Sequence, residues 1–165
     1  MTFGLLILRL VVGLTMAAHG SQKLFGWFGG HGLTGTGGFL EQLGFVPGRR
    51  NALFAGLAEF MGGLLLALGL ATPLAATLII SVMFVAIATV HLKNGFFNHA
   101  QGYEYNLTLA VVALSVAIIG AGPLSLDAAL GWRDAGPLWG LGALVAGLAG
   151  GAVQLATRRT PAQAN

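Results

Sequence analysis

Residues 74–92 read LAATLIISVMFVAIATVHL and contain no Asp, Glu, Lys or Arg. About 20 apolar residues in an α-helix are enough to cross the hydrocarbon core of a bilayer. Pro73 stands immediately before the stretch rather than inside it, as expected where a helix must satisfy its own backbone hydrogen bonds in lipid. The stretch therefore predicts a transmembrane helix.

Four further apolar segments flank this one, and all five prolines of the chain lie outside the segments. The four segments are Phe3 to Gly20, Ala52 to Leu70, Asn106 to Ala121 and Leu138 to Ala156. The fold class predicted is all-α: a polytopic transmembrane helix bundle with a four-helix core and a fifth helix after it. We expect the first segment to stay in the mature protein, because it lacks the basic start of a signal peptide and has Arg9 inside.

The composition agrees with a membrane environment and excludes several kinds of chemistry. The chain is 56% apolar and 8% charged, whereas charged residues make up about a quarter of a soluble protein. It has no cysteine, which excludes a thiolate nucleophile, thiolate-ligated iron–sulfur clusters and covalently attached haem within this chain. The formal net charge of +3 is spread over scattered residues, so we expect no nucleic-acid partner.

The distribution of basic residues predicts an orientation. Five spans place six basic residues on one side, and only Arg133 on the other. The six are Lys23, Arg49, Arg50, Lys93, Arg158 and Arg159. Because basic loops stay in the cytoplasm, the N-terminus is predicted outside and the C-terminus inside a bacterial cytoplasmic (inner) membrane. A four-span alternative would place both termini outside.

The longest connection, Ser21 to Asn51, is rich in glycine and also contains aromatic residues. Phe39, Leu40 and Leu43 stand beside Glu41 and Gln42, a pattern typical of a short amphipathic helix. We expect this helix to lie on the bilayer surface.

One charge lies in the middle of the first span and another in the second. An ionised side chain at such a depth costs about 3 kcal/mol unless it is paired or hydrated. Counted at about 1.5 Å per residue, Arg9 lies about 15 Å from His19 and Glu59 about 12 Å from Asn51, so their depths nearly match. We therefore predict that Arg9 and Glu59 form an internal ion pair.

Further polar residues converge at the ends of three spans on the predicted cytoplasmic side. They are His19, Lys23, His91, Lys93, Glu104 and Asn106. They are predicted to surround a shallow polar pocket whose floor is Arg9 and Glu59. The alternative is structural: basic side chains at span ends extend toward the headgroups, and the pair of Arg9 with Glu59 serves only the fold.

Several short motifs resemble those of a known family. They are Leu8-Arg9-Leu10, the run from His19 to Gly26 (HGSQKLFG), Glu59 with Gly62 and Gly63, His91 before Asn94-Gly95-Phe96-Phe97, and Gly102-Tyr103-Glu104-Tyr105-Asn106. In this order and spacing they resemble the DoxX family of small integral membrane proteins. The resemblance covers about residues 3–125 and divides the chain into a four-helix core, residues 1–125, and a C-terminal extension, residues 126–165, that holds the fifth helix.

The resemblance implies an association with quinone-linked oxidation, as in the membrane subunits of thiosulfate:quinone oxidoreductase. The leading hypothesis is a quinone-interacting membrane subunit of a redox complex, with Arg9, His19, Lys23, Glu59, His91, Glu104 and Asn106 as pocket residues. The alternatives are a non-catalytic membrane anchor or assembly protein and a small-solute transporter. No self-contained catalytic motif decides whether the chain is an enzyme.

The same reasoning predicts the cofactors and partners. We expect no covalently bound cofactor, no metal site and a lipoquinone as the candidate ligand. Haem b is not expected, because His19 and His91 both lie close to span ends. The expected partners are the lipid bilayer and either other proteins of a complex or further copies of this chain.

Overall fold

The structure is a computed structural model that describes residues 2–159, so the last six residues of the predicted extension lie outside it. Within the described residues it is all-helical. The helices are α1 (Thr2–Phe25), α2 (Gly32–Gln42), α3 (Gly48–Leu68), α4 (Thr72–Ala86), α5 (Glu104–Ile119), α6 (Leu126–Ala129) and α7 (Pro137–Ala156). One π-helical turn, Ile87–His91, and a short 3-10 turn, Leu92–Asn94, continue α4. The predicted all-α transmembrane bundle is confirmed.

Four helices are long and apolar enough to cross a membrane: Phe3–Phe25, Gly48–Leu68, Thr72–Asn94 and Pro137–Ala156. The fourth predicted span is the shorter helix α5. The chain is therefore an integral membrane protein, and its long helices are exposed to lipid over much of their surface.

The helices alternate in direction and define two ends of the bundle. We call the end with the Ser21 to Asn51 connection and the start of α5 the basic end, and the end with the α3–α4 turn and α6 the turn end. Helix α7 runs back to the basic end, where Arg158 Nε donates a hydrogen bond to the carbonyl of Leu43 and Arg159 N donates to that of Gly44. The six basic residues assigned to one side thus lie at the basic end.

Glycine residues bring α1 and α3 into backbone contact. A Cβ atom at Gly13 would lie 2.6 Å from the backbone of Gly63 and Ala67, and one at Gly20 would overlap the backbone of Gly56 and Phe60. Small residues allow this close approach of membrane helices. Gly56, Gly63 and Ala67 of α3 therefore form part of the contact surface with α1.

Helix α4 lies at the centre of the apolar core, which includes Ile79, Met83, Leu66 and Val116. Helices α3, α5 and α7 all pack against α4. In α7, Gly147 and Gly151 face Ile80 and Phe84 of α4, where a Cβ atom would collide with either side chain. The fifth helix is thus packed into the bundle.

Candidate functional site

The predicted ion pair of Arg9 with Glu59 is wrong. Arg9 is 1% exposed and lies at the turn end, where its guanidinium donates hydrogen bonds to the carbonyl oxygens of Ala121 and Leu124, the latter at 2.6 Å. These carbonyls belong to the connection between α5 and α6. Arg9 therefore holds that connection against α1 and takes no part in the predicted pocket.

The register of α1 against α3 explains the error. Helix α1 continues beyond Gly20 to Phe25, and α3 begins at Gly48 rather than Ala52. With Gly13 opposite Gly63 and Gly20 opposite Gly56, Arg9 is level with Gly69, ten residues or about 15 Å along α3 from Glu59. Aligning His19 with Asn51 placed the two helices out of register.

Asp127 completes the polar network of the turn end. Its carboxylate accepts hydrogen bonds from Ala71 N at 2.7 Å, Thr72 N at 3.1 Å and Thr72 Oγ1 at 2.6 Å. These groups form the N-terminus of α4, where a negative charge interacts favourably with the helix dipole. The 5% exposed Asp127 thus fastens α6 to the α3–α4 turn.

At the basic end, Glu59 pairs with Lys23. Lys23 Nζ lies 2.6 Å from Glu59 Oε2, and the exposed fractions of the two side chains are 28% and 4%. The close contact of α1 with α3 positions both residues, because Gly56, one turn before Glu59, packs against Lys23 and Leu24. The ion pair is buried on its acidic side and partly accessible on its basic side.

This ion pair lies at the wall of a cavity of about 540 Å³. Specific small-molecule sites span roughly 300 to 1,000 Å³ and are mostly apolar with a few polar groups. The cavity has this character. Its polar wall residues include His19, Lys23, Glu59, His91, Tyr105 and Asn106, and most of the others are apolar.

Helix α2 covers the cavity. Thr36, Phe39 and Leu40 of α2 line it, so the predicted apolar face packs over the cavity, although Phe39 is still 48% exposed. Glu41 Oε1 accepts a hydrogen bond from Gly48 N at 2.8 Å, which ties α2 to the start of α3. The predicted amphipathic helix exists, and the side chains at the centre of its apolar face belong to the candidate site.

His91 is positioned by the π-helical turn at the end of α4. Its Nδ1 lies 2.7 Å from the carbonyl oxygen of Gln101. A carbonyl only accepts, so Nδ1 carries the proton and Nε2 of the neutral ring is left as an acceptor. His19 makes a longer contact, 3.4 Å, from Nε2 to the hydroxyl of Tyr105.

Besides Arg9, two more of the predicted pocket residues lie outside the cavity wall. Glu104 Oε2 accepts a hydrogen bond from Asn98 N at 2.9 Å and so holds the loop before α5. Lys93 is exposed in the loop after His91. The predicted set of His19, Lys23, Glu59, His91 and Asn106 comes together at the cavity, whereas Arg9, Lys93 and Glu104 do not.

Sequence reasoning missed several polar wall residues, among them Tyr105, Asn51 and Gln154. Tyr105 belongs to a family motif and Asn51 marks a helix end, but neither is in the predicted pocket, and nor is Gln154. Gln154 Nε2 donates to Asn51 Oδ1 at 2.7 Å and joins α7 to α3 beside the cavity. The sequence does contain an indication of this contact. Asn51 stands near the start of one span and Gln154 near the end of another, so both lie on the same side of the membrane.

The fold and site define a class: a small helical membrane protein with a mostly apolar cavity at one end and a buried ion pair in its wall. The chain belongs to the DoxX family, whose sequence model matches residues 4–92. That segment contains α1 to α4 and therefore Lys23, Glu59 and His91, whereas α5 and α7 lie beyond it.

A curated relative supports the same membership. The chain is 32% identical over 124 residues to a protein of Bacillus subtilis (strain 168) named "Putative oxidoreductase CatD". The aligned region covers 75% of this chain and 84% of the relative. No solved structure matches the chain significantly.

Proposed function

We propose that the chain is a quinone-interacting membrane subunit of a redox complex in a bacterial cytoplasmic membrane, and that the basic-end cavity holds the ring of a lipoquinone. The observation that carries the proposal is the combination of about 540 Å³ of mostly apolar space with the pair of Lys23 and Glu59 in its wall. The DoxX family membership and the name of the Bacillus relative support a redox role.

The wall residues suit a ring that carries two oxygen atoms. Lys23 has three N–H donors, of which one is directed to Glu59, so the others are free to bind a ring oxygen. The apolar residues, such as Phe39, Val82 and Leu109, suit the ring face and its substituents. In this proposal Lys23 fixes the ring and His91 Nε2 accepts or returns a ring proton.

The electrons come from another subunit in this proposal. The chain has no cysteine and so cannot hold a thiolate-ligated iron–sulfur cluster. Reduction of a quinone takes two electrons and two protons; the partner supplies the electrons, while the polar wall residues lie at a span end where protons reach water.

Purification in lipid-polymer particles, with extraction and identification of bound lipoquinone by mass spectrometry, tests the proposal. The wild type is expected to retain about one lipoquinone per chain. Ala86→Phe fills the cavity wall and should abolish retention. Ala88→Phe, on the same helix but exposed and outside the wall, is the matched control and should retain it.

Two results would contradict the proposal. One is wild-type protein without bound lipoquinone, which also takes up none when short-chain quinone is added. The other is equal retention by Ala86→Phe and Ala88→Phe, since lipid-surface adsorption would not depend on the cavity.

A further inference from the structure

Asn106 lies in the cavity wall and has a buried side-chain oxygen without a hydrogen-bond partner among the described residues. The residue is 7% exposed, lines the cavity, and its Oδ1 atom has no hydrogen-bond partner within residues 2–159. Its amide nitrogen is directed at Met83 Sδ, 3.5 Å away, and a thioether is a weak acceptor. A buried amide oxygen without a donor is unfavourable, and the soft terminal torsion of Asn allows it to turn toward a ligand.

His91 offers a second acceptor in the same wall. Because its Nδ1–H is used by the carbonyl of Gln101, the neutral ring can bind a ligand through Nε2 only by accepting a hydrogen bond. Asn106 lies on α5 and His91 at the end of α4. Each of the two helices thus brings one unused acceptor to the cavity wall.

These acceptors distinguish the two oxidation states of a quinone ring. A ring carbonyl oxygen only accepts hydrogen bonds, whereas a ring hydroxyl both donates and accepts. Asn106 Oδ1 and His91 Nε2 can therefore pair only with the hydroxylated ring.

The other polar wall groups do not oppose this choice. Lys23 and the hydroxyl of Tyr105 can donate to a carbonyl oxygen or to a hydroxyl oxygen, so they bind both forms. Glu59, as a carboxylate, is a further acceptor beside Lys23. Of the two ring forms, only the hydroxylated one satisfies donors and acceptors together.

We infer that the cavity selects the reduced, dihydroxy form of the ring, a quinol, over the corresponding quinone. This inference rests on the proposed function and adds the preferred state of the ligand. In a redox complex it makes the chain the quinol-holding subunit: it retains the product of quinone reduction or presents a quinol for oxidation.

A ligand series on the wild-type full-length chain tests the inference without any substitution. Binding of a short-chain quinol, its quinone and the dimethyl ether of the quinol is measured in lipid nanodiscs, anaerobically, by the shift in melting temperature as a function of ligand concentration. The dimethyl ether has the same ring and two oxygen atoms but no O–H donor. We expect the Kd for the quinol to be at least about tenfold lower than that for the quinone, with the ether no tighter than the quinone.

Asn106→Leu, close in size to the native residue, should reduce the preference for quinol to less than about threefold, because the binding of quinol weakens more than that of quinone. Ser115→Ala is the matched control on α5, because Ser115 bonds only to the carbonyl of Val111 and does not line the cavity. It should keep the full preference. A full preference in Asn106→Leu would show that Asn106 is not the selecting group.

The outcomes separate the inference from the proposed function. Equal affinity for quinol and quinone, or tighter quinone binding, overturns the inference and leaves the quinone site in place. Tight binding of the dimethyl ether also overturns it, because no donor is then needed. If none of the three ligands shifts the melting temperature, both the proposed function and the inference fail.

Discussion

The two ends of the bundle both bury charged side chains, and they use them differently. At the turn end, Arg9 and Asp127 bond to backbone groups of the α5–α6 connection and of the α3–α4 turn. At the basic end, Lys23 and Glu59 bond to each other in the wall of a cavity. A buried charge therefore does not by itself indicate a ligand site; what the charge is bonded to distinguishes a structural group from a candidate binding group.

The largest loss of stability is expected from a substitution at the turn end. Arg9→Met removes two charge-assisted hydrogen bonds from a residue that is 1% exposed, which should lower the free energy of unfolding by about 3 to 6 kcal/mol. Thermal unfolding in detergent, followed by size-exclusion chromatography, measures the loss. Arg133→Met, an exposed residue at the same end, is the control and should change little. An unchanged melting temperature for Arg9→Met would refute the structural role.

A smaller loss is expected from Asp127→Ala. The substitution removes the cap of α4 and the bond to Thr72 Oγ1, at a cost of about 2 to 3 kcal/mol. The neighbouring Asp134 makes no side-chain hydrogen bond in the described part of the chain, so Asp134→Ala should be nearly neutral. Asp127→Ala protein that remains folded should still retain quinone. Loss of quinone from folded protein would contradict the assignment of a purely structural role to the turn end.

Double-mutant cycles measure directly whether the charged residues of the two ends interact with each other. Lys23→Met and Glu59→Gln should be coupled by about 1 kcal/mol, a modest value because Lys23 is 28% exposed and partly screened by solvent. Arg9→Met and Glu59→Gln should add to within about 0.5 kcal/mol, because the residues are far apart. Strong coupling between Arg9 and Glu59 would show that these residues form an ion pair after all, in contradiction to the structure.

The smallest effect is expected for Glu104→Gln. Gln keeps an acceptor for Asn98 N, so stability should change by no more than about 1 kcal/mol, and ligand binding should be unchanged because Glu104 lies outside the cavity wall. His91→Ala should instead weaken the melting shift produced by the ligand. If Glu104→Gln weakens that shift as much as His91→Ala does, the limits assigned to the cavity are wrong.

The sequence predicts the helices well because hydrocarbon imposes a strong constraint on length and composition. The segment from Leu74 to Leu92 and the helix from Leu138 to Ala156 both lie in observed helices. The positions of the prolines and of the apolar segments indicate where these helices lie. The helix ends differ by several residues, since polar residues such as Ser21 and Lys23 continue α1 where the apolar pattern has stopped.

The site is only partly predictable, because it depends on the register between helices. Counting residues gives depth within one helix, but the level of α1 against α3 is set by where Gly13 and Gly20 fit against Gly63 and Gly56. The covering position of α2 depends on tertiary contacts with α3 that no periodicity reveals. The residues at span ends, His19, Lys23 and His91, were found together because several helices end at one level.

The glycine contact between α1 and α3 also restricts how a tailed ligand could reach the cavity. Backbone lies against backbone along this contact, from Gly13 to Gly20 on one helix and from Gly56 to Gly63 on the other, and leaves no width for an isoprenoid chain. That side of the cavity is a closed wall. Under the proposed function, a lipoquinone that enters from the bilayer would have to pass between another pair of helices, because α1 and α3 are packed too closely to separate.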